Sequence, residues 1–126
     1  VLLVEDDPAV RKMVARSLGV IGYQVLEAAD GESAVKAMEE SGGKVDAVLT
    51  DMVMPGMSGK DLVDLLRARW PTIGVVMMSG YTGESYAESE LIPTEVGFLE
   101  KPFAVAELRR AIRNAVASRT RVDGPA

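Results

Sequence analysis

Neither cysteine nor histidine occurs among the 126 residues. Without cysteine there are no disulfides, no thiolate metal site and no thiol nucleophile. Without histidine there is no imidazole acid–base catalysis, and the chain is excluded as a phosphohistidine donor. No apolar run reaches the roughly 18 residues of a membrane span. No signal-peptide pattern is present, so a cytoplasmic setting without membrane contact is expected. The nucleotide cradles G-x-x-x-x-G-K-S/T and G-x-G-x-x-G are both missing. Any phosphoryl group handled here must therefore come from a partner or a small molecule. Positive charge is also short: the net charge is -5, which argues against a nucleic-acid-binding surface. Arginines do gather late in the chain (Arg109, Arg110, Arg113, Arg119, Arg121), where they complement the C-terminal end of a last helix.

What is present fits one domain. The chain is long enough for a real core, and 48% hydrophobic and 26% charged residues are ordinary values for a globular protein. It opens at Val1 inside a strand pattern and without a methionine, which points to a segment of a longer protein. Residues 1–5 read as a buried strand. Asp7-Pro8 then offers an N-cap and a proline at the first helical position. Val10, Met13, Val14 and Leu18 follow at helical spacing, with Met13 expected in the core and Val10 on an exposed patch. Gly22 stops the helix. Strands are expected at 24–28, 45–51, 73–78 and 96–99. Asp30 caps a second helix ended by Gly42-Gly43, and Ser58 to Asp61 resembles a capping box opening a third, which stops at Trp70-Pro71. A short helix is expected between Glu84 and Leu91. The last helix covers 104–118, with Val105, Leu108, Ile112 and Val116 on one stripe, and 119–126 reads as a polar tail on a domain of residues 1–118. Near-continuous apolar strands alternating with helices predict an α/β domain, a doubly wound parallel sheet covered on both faces.

Ligands of such sheets bind beyond the carboxyl ends of the strands. Glu5, Asp6, Asp51, Ser79 and Lys101 all fall on that edge. If the first and third strands are neighbours, about 4.8 Å apart, the three carboxylates converge. They then repel one another unless a cation intervenes, and Mg²⁺ suits an all-oxygen site. Lys101 adds a fixed positive charge for an incoming phosphoryl group, and Ser79 a hydroxyl. A carboxylate can attack phosphorus to give an acyl phosphate, a transfer that needs mainly positioning and charge neutralisation. Each motif has a plainer reading: acids at a helix start are often caps, Lys-Pro is often a loop, Ser-Gly is often a turn, and an apolar Phe98 is often core.

In order and spacing, Val4-Glu5-Asp6-Asp7-Pro8, Asp51-Met52-Val53-Met54-Pro55-Gly56-Met57-Ser58-Gly59, Ser79-Gly80 and Lys101-Pro102-Phe103 resemble the receiver domain of two-component response regulators. The resemblance covers essentially the whole chain. It implies a five-stranded (βα)5 flavodoxin-like fold with strand order 2-1-3-4-5. It implies that Asp51 accepts phosphate from a phosphohistidine, and that Glu5, Asp6, Asp51 and the Val53 carbonyl hold Mg²⁺. Ser79 matches the switch hydroxyl, Lys101 the phosphate-pairing lysine and Phe98 the switch aromatic; the Lys101-Pro102 peptide is expected to be cis. Phosphate draws Ser79 inward, and Phe98 fills the space left. As phenylalanine it carries no hydroxyl for a signalling step that needs one. Val53 and Tyr81 match the positions that govern water access to the phosphoryl group. With neither an acid nor an amide there, slow self-dephosphorylation is expected.

The implied partner is a histidine kinase or a histidine phosphotransfer protein, with Val10, Met54, Pro55 and Pro102 as docking residues. Ser79-Gly80-Tyr81 and the acidic segment before the fifth strand are similar to receivers of hybrid histidine kinases, which pass phosphate onward rather than drive a DNA-binding domain. Glu84, Glu88, Glu90 and Glu95 cluster near the face that the resemblance assigns to output; they read as a solvated acidic surface, with a basic partner as the alternative. The competing reading is a receiver-fold module that binds partners without phosphorylation; the complete acidic site weighs against it. A Mg²⁺-dependent phosphohydrolase typically has a second Asp two positions after the first, where Val53 stands. A flavin carrier needs a hydroxyl- and glycine-rich loop where Glu5-Asp6-Asp7 stands.

Overall fold

The computed structural model describes residues 1–79 and 96–123. Strands β1 (Leu2–Val4), β2 (Leu26–Ala28), β3 (Ala47–Asp51), β4 (Gly74–Ser79) and β5 (Gly97–Glu100) share the chain with helices α1 (Pro8–Ile21), α2 (Gly31–Glu40), α3 (Gly59–Arg69) and α4 (Val105–Asp123). All strand pairings are parallel, and the sheet runs β2-β1-β3-β4-β5. That is the doubly wound, flavodoxin-like order that the resemblance implies. The helix expected between Glu84 and Leu91, together with Gly80, Tyr81 and the acidic run to Glu95, lies outside the described residues.

The apolar strands are explained by what covers them. Leu2, Val4, Val48, Val75 and Met77 point to one face, against Ala34 and Met38 of α2 and Leu62, Val63 and Leu66 of α3. Leu3, Ala47, Leu49, Val76 and Met78 alternate with them and point to the other, against Val14 and Leu18 of α1 and Leu108 and Ile112 of α4. Because successive strand residues face opposite ways, a strand covered on both sides is apolar at every position. Each fully buried Leu contributes about 2 kcal/mol by leaving water.

Caps set where the helices begin. The Asp7 carboxylate accepts from the backbone N–H groups of Ala9 and Val10, with Pro8 at the first helical position. Asp30 accepts from the Ser33 N–H at 2.8 Å, and the Ser58 hydroxyl accepts from the Asp61 N–H at 3.1 Å. Gly22 ends α1 at φ 113, a left-handed conformation that glycine adopts without a side-chain clash.

Four expectations need correction. On α1 the inward row is Val10, Val14 and Leu18, spaced by four residues, and Val10 packs half-buried against the α1-side core. Met13 stands about 100° off Val14 around the helix and is 63% exposed, so the two residues exchange their expected places. Met54, expected on a docking rim, is only 7% exposed and belongs to the α2–α3 core; its alternation with exposed Val53 and Pro55 turns it inward. Val105 is exposed, because the first turn of α4 stands clear of the core and the buried stripe begins at Leu108. The α4 backbone continues to Asp123, past 118, since no glycine or proline intervenes before Gly124.

Gly59 joins the fold to the site. Its N–H donates to the Met52 carbonyl at 3.0 Å. A Cβ there would collide with the Asp51 carbonyl oxygen and stand 2.9 Å from the Met52 Cα, both backbone atoms that cannot swing away. Alanine normally favours a helix over glycine by about 1 kcal/mol. Gly59→Ala is nevertheless expected to lower stability by about 1–3 kcal/mol, the range for overpacking, seen as a lower urea midpoint; a raised midpoint contradicts this packing.

Candidate functional site

Parallel register brings the site residues together. Val4 pairs with Thr50, so Glu5, just past the end of β1, lies beside Asp51, the last residue of β3. Ser79 ends β4 opposite Glu100, and the Lys101 N–H donates to the Ser79 carbonyl at 2.7 Å. The Lys101-Pro102 peptide is cis, as expected. One carboxylate oxygen from each of Glu5, Asp6 and Asp51 lies within 4.8 Å of the others. The Lys101 ammonium reaches both buried acids, 2.6 Å from Glu5 Oε1 and 2.9 Å from Asp51 Oδ2. Backbone donors hold the remaining oxygens: the Val53 N–H donates to Asp51 Oδ1 at 3.1 Å and the Asp7 N–H to Glu5 Oε2 at 3.2 Å.

The electrostatics are unbalanced. Glu5 is 2% exposed and Asp51 9%, while Asp6 is exposed. Burial pushes the Glu5 carboxyl above its ordinary value; the hydrogen bonds from Lys101 and the Asp7 N–H pull it back, and the Asp51 charge pushes it up further. Burial pulls the Lys101 ammonium down, but its hydrogen bonds to Asp51 and Glu5, and their charges, lift it above its ordinary value. Two like charges 4.8 Å apart repel by roughly 3 kcal/mol at an effective dielectric constant of about 20. One ammonium cannot offset three carboxylates. The donor set is hard oxygen only, without nitrogen or sulfur, and it fits Mg²⁺, which takes one or two carboxylates and keeps several waters.

The other expected residues are distributed around this centre. Ser79 is buried at the end of β4. Phe98 on β5 pairs with Met77 and packs, half-buried, against the α2–α3 core. Val53 is 61% exposed, and Pro55 and Pro102 are exposed. Val10 and Met54 turn inward, and Tyr81 lies outside the described residues.

Three contacts were not foreseen. Lys101 bridges Glu5 as well as Asp51. The Thr50 hydroxyl donates to the Asp51 carbonyl at 3.0 Å. Arg11 of α1 donates from Nη1 to the Glu5 carbonyl at 2.8 Å. A signal for Arg11 existed: a cation near a helix N-terminus opposes the helix dipole, so its presence there asks for a specific partner.

Lys101→Met keeps an apolar stem and removes the charge. With EDTA at neutral pH it is expected to cost about 1–2 kcal/mol in urea unfolding, less than for a fully buried pair because the ammonium is partly solvated. The folded-state pKa of Lys101 lies above the unfolded value, so its contribution is full below about 10.4 and fades as the pH rises through the folded value. An unchanged midpoint in the variant contradicts the bridge.

Comparison with known proteins agrees with this geometry. The family model described as "Response regulator receiver domain" matches residues 1–113. The chain is 43% identical over 113 residues to the sensor kinase CckA of Brucella abortus, covering 90% of this chain and 12% of that protein. It is 33% identical over 120 residues to the transcriptional regulatory protein KdpE of Mycobacterium tuberculosis, covering 95% of this chain and 52% of that protein. The chain thus spans between about an eighth and a half of these relatives' length. Among solved structures, the receiver domain from the hybrid histidine kinase CckA superposes with a TM-score of 0.76 at 38% identity, covering 91% of this chain and 96% of that one. The receiver domain of NtrX from Brucella abortus gives 0.82 at 29% identity, with coverage of 92% and 97%.

Proposed function

The chain belongs to the response regulator receiver domain family of two-component signalling, and from that premise we propose that Asp51 takes a phosphoryl group from a phosphohistidine. The observation that carries the reading is the convergence of Glu5, Asp6 and Asp51 within 4.8 Å, bridged by a single lysine. An Asp51 carboxylate oxygen forms a bond to phosphorus as the phosphorus–nitrogen bond of the donor histidine breaks, leaving an acyl phosphate on Asp51. Lys101 transfers its hydrogen bond from the Asp51 carboxylate to a phosphoryl oxygen. Ser79 turns its hydroxyl to another, and Phe98 moves into the space released, so phosphate shifts the balance between two arrangements of this edge. Glu5, Asp6, Asp51 and the Val53 carbonyl are the groups to hold Mg²⁺, which when bound supplies the charge neutralisation that phosphoryl transfer requires.

The donor is a histidine kinase or a histidine phosphotransfer protein. Similarity to the sensor kinase CckA supports a receiver that passes phosphate onward in a phosphorelay. Pro55 and Pro102, exposed beside the site, are the expected docking residues that remain at the surface. No helix among the described residues is long and apolar enough to cross a membrane.

Incubation with acetyl phosphate and Mg²⁺ is expected to raise the intact mass by one phosphoryl group, with no gain in EDTA or in Asp51→Asn. No gain in the folded parent, from acetyl phosphate or from phosphohistidine donors, overturns the reading in favour of a module that binds without phosphorylation. Val53 stands exposed two residues beyond the acceptor and offers no group to orient water. Val53→Asn is expected to shorten the acyl phosphate half-life severalfold; an equal or longer half-life contradicts that role.

A further inference from the structure

The three carboxylates are not held in the same way. Glu5 is fixed by Lys101 and by the Asp7 N–H, and Asp51 by Lys101 and by the Val53 N–H. The Asp6 carboxylate has no hydrogen bond or ion pair among the described residues. No partner among the described residues fixes its side-chain torsions, so where it can reach depends on its backbone, and above all on the peptide joining Glu5 to Asp6. That peptide is anchored from outside the site. Its carbonyl, on Glu5, accepts from Arg11 Nη1 at 2.8 Å, and the preceding peptide is held through the Glu5 N–H, which donates to the Ala28 carbonyl at 3.0 Å. Arg11 is itself steadied, its Nε 3.4 Å from Glu27 Oε1 on β2. The arginine side chain is 19% exposed. A planar guanidinium with donors in a fixed fork can serve both partners at once.

We infer that Arg11 is a positioning residue, which orients the Asp6 carboxylate toward the cation by locking the Glu5–Asp6 peptide. The inference rests on the proposed Mg²⁺ site. Glu27 completes the device: it holds the guanidinium in register and offsets a positive charge that otherwise repels the incoming cation. Arg11 touches neither the cation nor the phosphoryl group; it acts one shell out. Partners of that kind typically account for about 10–100-fold in metal affinity.

The test compares the parent, Arg11→Met and Arg11→Lys. Calorimetric titration with MgCl₂ is expected to show Arg11→Met binding about tenfold more weakly. Arg11→Lys, which keeps one donor for the Glu5 carbonyl, is expected to recover most of that loss. A residue that merely supports the fold lowers the urea midpoint without this order of affinities. Equal Mg²⁺ affinity in the parent and Arg11→Met overturns the inference, as does an Arg11→Lys no better than Arg11→Met. A metal-free arm keeps the failure of the site itself distinct. In EDTA, amide hydrogen exchange at Asp7 is expected to speed up about tenfold in Arg11→Met as the loop loosens; unchanged exchange overturns the lock. A parent that binds no Mg²⁺ while Asp7 exchange still responds overturns the role toward the cation and counts against the proposed site, leaving only a structural clamp.

Discussion

The ammonium of Lys101, held between Glu5 and Asp51, is the contact on which the acidic edge depends. Both acids are nearly buried, and a buried carboxylate without a counter-charge is costly. The lysine makes their joint burial tolerable and still leaves the site short of positive charge. Three carboxylates against one ammonium leave an excess of negative charge, which favours a cation; in the proposed reaction that cation must be in place before a dianionic phosphoryl group can approach.

Everything upstream serves the geometry of that contact. Parallel pairing of β1 with β3 sets Glu5 beside Asp51. Pairing of β3 with β4, and of β4 with β5, brings the Lys101 backbone against Ser79. Helices cover both faces, so the strands are pinned in register by apolar packing, and a slip of one residue turns every side chain to the wrong face. Gly59 lets α3 begin against the backbone that follows Asp51. A core that resists deformation thus holds at its edge two acids fixed by hydrogen bonds from Lys101 and from the Asp7 and Val53 N–H groups.

Much of this was legible in the sequence for physical reasons. Apolar runs ending in acids named the strands and their carboxyl ends, Asp7-Pro8, Asp30 and Ser58 named the helix starts, and the cis Lys101-Pro102 peptide followed from the resemblance. The reverse assignment of Val10 and Met13 shows where pattern reading weakens: both are apolar, they stand only about 60° apart around the helix, and which of them faces the sheet depends on how α1 rolls on it. Met54, apolar and set in a loop, fits either a core or a docking rim on pattern alone, and the alternation with Val53 and Pro55 turns it into the core. The Arg11 contact to a backbone carbonyl leaves no complementary residue to find, since every residue has a carbonyl. Only its unfavourable place near a helix N-terminus marked it.

The most direct measurement follows labelled phosphate from a phosphorylated histidine phosphotransfer protein to this chain, with Mg²⁺ and with EDTA. The account predicts rapid, Mg²⁺-dependent movement of label onto Asp51, recovered as a hydroxylamine-labile acyl phosphate. Label that remains on histidine for each phosphotransfer protein of the source cell, while the chain stays folded and Mg²⁺-bound, contradicts it.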